Sequence, residues 1–71
     1  MAEPMSVFEY KAGLMRLCGI DDLDACDPLA KMNILGLSSI YLVRASHEDR
    51  VRMDADLREA LAELDQQKAA G

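Results

Sequence analysis

Three stretches of this chain differ in how their apolar residues are spaced. In the first, Val7, Tyr10, Leu14, Leu17 and Cys18 share one side of a helical wheel, Phe8 and Met15 widen it, and Glu9 and Arg16 face away. That spacing predicts a one-faced amphipathic helix. Its ends are also marked. Ser6 with Glu9 is a capping box, Met5 stands where it can pack on Tyr10, and Gly19 follows as a left-handed stop. The helix is expected over about Val7 to Cys18.

The last stretch repeats the logic at greater length. Ser46 and Asp49 make a second cap, and Glu48 and Asp49 sit in the first turn, where the helix dipole favours negative charge. Met53, Leu57, Leu61 and Leu64, joined by Ala60, form one apolar stripe that is expected to bury against the first helix or a second copy. Glu48 with Arg52 and Asp54 with Arg58 are acid-before-base pairs four residues apart, each worth a few tenths of a kcal/mol. The helix should reach about Gln67, roughly 30 Å at about 1.5 Å per residue.

The middle stretch breaks the pattern. Between Pro28 and Ala45 the apolar residues are Leu29, Ala30, Met32, Ile34, Leu35, Leu37, Ile40, Tyr41, Leu42, Val43 and Ala45, and they point in every direction of the wheel. The run falls short of the about 20 residues a membrane span needs, and Lys31 and Asn33 interrupt it. A strand over Ser39 to Val43 would have no partner strand. Two forms remain: one central helix with neighbours on all sides, or two short helices broken near Gly36. Ahead of it, four aspartates fall within residues 21–27. Their spacing does not make a calcium loop, because Cys26 stands at the fifth loop position from Asp22 and Asn33 at the twelfth. Capping fits better: Asp21 or Asp22 for a turn holding Leu23 and Cys26, and Asp27 for a helix that Pro28 begins.

Within this stretch, Leu35-Gly36-Leu37-Ser38 followed by Leu42 and Arg44 resembles the turn of helix-turn-helix DNA-binding domains, over Met32 to Ala45. The resemblance implies a dimeric transcriptional regulator. The family usually places a small residue where Met32 stands. The base-facing positions it implies carry Ser39, Ile40, Tyr41 and Val43, whereas base edges are read mainly by Arg, Asn and Gln. A domain of that kind with such residues is better suited to a protein partner.

Composition narrows the class. The hydrophobic residues are mostly Ala, Leu and Met, with only Phe8, Tyr10 and Tyr41 as aromatics, which favours helices over sheet. The net charge of −5 disfavours nucleic-acid binding and adsorption to anionic membranes. Residues 1–11 lack a basic and then apolar leader pattern, so a cytoplasmic location with reduced, buried Cys18 and Cys26 is expected. His47 is the only histidine and lies in a charged turn with no orienting partner in sequence, and Ser38 and Ser39 have no base beside them. No catalytic residue, cofactor site or metal site is expected.

The expectation is therefore an all-α domain over residues 1–71, with 1–5 and 68–71 frayed, built from three to four helices with a long C-terminal one. A chain of 71 residues buries only about 60% of its unfolded surface, so its core is small. Two flanking helices cannot cover a middle helix that is apolar all round. The excess predicts a homodimer or another protein partner, with Ile40, Tyr41, Val43 and Arg44 as contact residues. The function expected is that of a non-enzymatic regulator, adaptor or inhibitor; DNA binding is the alternative. Folding back of the chain's own pieces over all of these residues would remove the need for a partner.

Overall fold

A computed structural model describes residues 3–70. Within them the chain forms three helices and no strand: α1 Val7–Cys18, α2 Pro28–Ser39, and α3 His47–Ala70. A π-helical turn, Ile40–Arg44, continues α2 at its C-terminal end. There is no fourth separate helix among the described residues, because the middle stretch runs unbroken through Gly36. The expectation of frayed ends concerns in part Met1, Ala2 and Gly71, which lie outside the described residues. α3 extends beyond the expected Gln67; its 24 residues span about 36 Å.

Local chemistry places the helix boundaries. The Ser6 hydroxyl accepts from the Glu9 amide at 3.2 Å, and Gly19 closes α1 at φ 70°, its amide donating to the Arg16 carbonyl. Asp27 caps α2 through the Leu29 amide, and Pro28 fills the first helical position, where no amide partner is lost. Ser46 and Asp49 form the reciprocal pair: the Asp49 amide donates to the Ser46 hydroxyl and the Ser46 amide to the Asp49 carboxylate. The aspartate-rich connection is a turn held by Asp22, whose carboxylate accepts from the Asp24 amide at 3.0 Å. Ile20 and Leu23 from this connection pack against the core.

The core is small. Tyr10, Leu14, Ile34, Tyr41 and Leu57 are buried, and Met5, Val7, Met15, Met53 and Leu61 pack around them. The α3 stripe lies where the spacing put it, with Leu57 buried and Met53, Leu61 and Leu64 half-buried. α1 covers less of its expected face than the spacing implies. Tyr10 and Leu14 are buried and Val7 and Met15 pack against the core, but Phe8 and, at the C-terminal end, Leu17 and Cys18 are exposed. Gly13 lies beside this face: a Cβ built there would lie 2.7 Å from Leu57 Cδ2 and 3.4 Å from Leu61 Cδ1, so α3 rests directly on the glycine.

The three helices make a flat body of 35 × 29 × 14 Å. α1 packs on both other helices, whereas α2 meets α3 chiefly through its terminal π turn. One flank of α2 therefore has nothing against it.

Gly13→Ala tests the close approach. The added methyl favours helix by about 0.5–1 kcal/mol but meets a buried leucine, and overpacking of this kind costs about 1–3 kcal/mol. Thermal unfolding should show a net loss of about 1 kcal/mol, or about 4–8 °C in Tm for a domain of this size. A Tm equal to or above that of the parent would show that the Leu57 side chain gives way to the methyl and that the contact at Gly13 is not tight.

Candidate interaction surface

Ile34, Ser38 and Tyr41 define the inner line of α2 and are all buried. Ser38 can be buried because its hydroxyl donates back to the Ile34 carbonyl at 2.8 Å, which leaves no unsatisfied polar atom. Tyr41 is the centre of the arrangement. Its ring stacks on Tyr10 at 4.2 Å between centroids and 8° between planes. Its hydroxyl donates to the Met5 carbonyl, and the Met5 amide donates to Asp54.

The π turn explains how the chain leaves α2. The Ala45 amide donates to the Ile40 carbonyl, five residues back, and the Tyr41 and Leu42 carbonyls are left without helical partners. Arg50 reaches over from α3 and takes both, Nε donating to Tyr41 at 2.8 Å and Nη2 to Leu42 at 2.7 Å. The same guanidinium lies 5.9 Å from the centre of the Tyr41 ring. Among the described residues the ion pairs are Arg16–Asp65, Lys31–Asp24 and Arg58–Asp54, all substantially exposed on at least one side and each worth little.

With the inner line engaged, the rest of α2 faces water. Val43 is 74% exposed, Met32 70% and Leu29 64%, and Leu35, Leu37, Ile40 and Leu42 are exposed as well. No Cβ neighbour lies within 4 Å of Gly36. A shallow apolar groove beside this face runs between the helices, bordered by Leu17, Leu37, Met53 and Ala60, and a second by Ile40, Arg44 and Arg52. A folded monomer of 7.8 kDa exposes about 4,400 Å2. This chain exposes 5268 Å2.

Of the four contact residues expected from sequence, Ile40, Val43 and Arg44 lie on this open surface. Tyr41 does not: it is held inside the chain by Tyr10, Met5 and Arg50, so it supports the fold and is not available to a partner. Leu29 and Met32, missed in the sequence reading, complete the surface. They stand 14 and 11 residues before Val43, and that helical spacing was the available signal. The residues that resemble a helix-turn-helix turn, Leu35 to Ser38, lie inside α2, and Gly36 has no positive φ. His47 lines an open groove with Phe8, Leu42 and Arg50. No cluster of metal-ligating side chains and no helix long and apolar enough to cross a membrane occurs among the described residues. Comparisons of the chain with protein-family models, curated proteins and solved structures return no match.

Burial pushes the Tyr41 hydroxyl above its ordinary 10.0; Asp54 adds to the shift and Arg50 and Arg58 partly offset it. Burial also raises Tyr10, with Tyr41 and Asp56 adding to it. Because the folded values lie above the unfolded ones, the unfolded chain releases these protons first. Stability is then complete below about pH 10 and falls as pH rises beyond it. The chain has two tyrosines, so phenolate absorbance reports both. Phenolate should appear together with loss of helical circular dichroism. Ordinary titration near pH 10 in a chain that keeps its helices would contradict the enclosed tyrosine pair.

Proposed function

We propose that this chain is a non-enzymatic, cytoplasmic protein-interaction module of the regulator, adaptor or inhibitor class, and that it binds through the open flank of α2. The observation that carries the reading is the row of exposed Leu29, Met32, Ile40 and Val43 on a helix whose inner line is already fully used. Contiguous apolar surface of more than a few hundred Å2 marks binding sites on small proteins. Fully burying side chains of this size contributes about 1.5–3 kcal/mol each before ordering costs. That gain would supplement a core in which five hydrophobic residues are buried among those described.

Charge is unevenly distributed: no acidic residue lies between Asp27 and Glu48. The contact face itself therefore carries none of the negative charge that marks the rest of the chain. DNA binding is disfavoured, because α2 is continuous where a turn is required and most of its exposed side chains are apolar.

A photo-reactive residue placed at Val43, and separately at Glu59 on α3, tests this in cells. Protein adducts are expected from position 43 and not from 59, with helicity unchanged in both. Equal labelling at the two positions, or none at 43, would remove α2 as the binding face.

A further inference from the structure

The open side of α2 has an internal symmetry. Its outermost line is Leu29, Met32, Gly36, Ile40 and Val43, with Met32 and Ile40 four residues either side of Gly36 and Leu29 and Val43 seven. The polar positions follow the same rule: Asn33 and Ser39, both exposed, lie three residues either side of Gly36, on opposite flanks of the line. The centre of the line is also its lowest point, because nothing stands within 4 Å of where a Gly36 Cβ would be.

We propose that this face is covered by a second copy of the chain, the two α2 helices packing antiparallel across a two-fold axis at Gly36. The inference rests on the reading of α2 as a protein contact and names its occupant. A two-fold contact uses the same patch twice and must therefore be self-complementary. Here Leu29 of one copy lies level with Val43 of the other and Met32 with Ile40, and the two glycines let the backbones approach. A parallel pairing would instead set like residue against like.

Charge selects the same orientation. Asp27 stands at one end of the line and Arg44 at the other. Antiparallel packing brings the Arg44 end of each copy level with the acidic Asp27 end of its companion, whereas parallel packing would place like charges at the same end. Between these ends the only charged side chain is Lys31, which is bonded to Asp24 away from the line.

Sedimentation equilibrium of the full chain from low micromolar to millimolar concentration tests the pairing. The expected mass rises to twice 7.8 kDa. Val43→Asp should hold the chain at the single mass with its helicity intact. Gly36→Ala should act in opposite directions on two readouts. In the Val43→Asp background it raises the folding equilibrium constant about two- to fivefold, because alanine is the better helix former. In the parent it raises the dimer dissociation constant about ten- to a hundredfold, because the methyl enters the crossing point. Register is read by disulfide trapping in a Cys18→Ser/Cys26→Ser chain. Met32→Cys mixed with Ile40→Cys should give the mixed dimer, and Met32→Cys alone should not self-link.

A chain that stays monomeric at millimolar concentration overturns the second-copy assignment, while adducts from position 43 to other proteins would still uphold α2 as a binding face. A dimer indifferent to Gly36→Ala and Val43→Asp, or self-linking of Met32→Cys, overturns the antiparallel crossing.

Discussion

Tyr41 is where the parts of this molecule meet. Its ring lies on Tyr10 of α1, its hydroxyl takes the Met5 carbonyl ahead of α1, and its own carbonyl is taken by Arg50 of α3. In a chain whose core holds five buried apolar residues, non-directional burial alone would leave several packings of three helices close in energy. The tyrosine contacts are directional. A stacked aromatic pair contributes about 0.5–1.5 kcal/mol beyond its buried area, and a buried hydroxyl left without its acceptor would cost about 1–3 kcal/mol. These contacts therefore penalise alternative packings more than they deepen the native one.

The same tie decides what α2 can offer. Once Ile34, Ser38 and Tyr41 face inward, the opposite line of the helix must face out, and it is as apolar as the inner one. The π turn strengthens this choice. It releases two carbonyls at the point where Arg50 can collect them, so the end of α2 is fixed to α3 by hydrogen bonds as well as by packing. α2 is thus anchored at its end and along one side, and a rigid helix with a bare flank loses little conformational freedom when something docks on it.

The helix boundaries were legible because each is written in a few adjacent residues: Ser6 with Glu9 and Gly19, Asp27 with Pro28, Ser46 with Asp49. The α3 stripe was legible because its opposite side is charged. The faces of α1 and α2 were not. On α1 the apolar arc is longer and wider than the surface its neighbours cover, and the close approach of α3 is at Gly13, a residue with no side chain to register in a hydrophobic pattern. On α2 every direction is apolar, so periodicity carries no inward signal and Tyr41 was read as outward. The available cue was size: with three aromatics in the chain, the two tyrosines are the side chains best able to fill a small core. The continuity of α2 through Gly36 was hidden for a related reason. Glycine weakens a helix by at most about 1 kcal/mol, which is too little to break one supported by its neighbours.

The acidic character of the chain and its apolar centre are two parts of one arrangement. All 13 acidic residues lie outside residues 28–47, while Lys31 and Arg44 lie inside. Like-charge repulsion therefore acts between the aspartate-rich loop and α3 surfaces of any two copies and is absent along the exposed line of α2. Long-range repulsion opposes random encounters, and it opposes least the approach that brings the uncharged line together with opposite charges at its ends. Uniform charge of the same total would resist every contact equally, and an uncharged surface would permit many. Confining the negative charge to the flanks leaves one geometry in which the grease can be buried without placing carboxylates against each other.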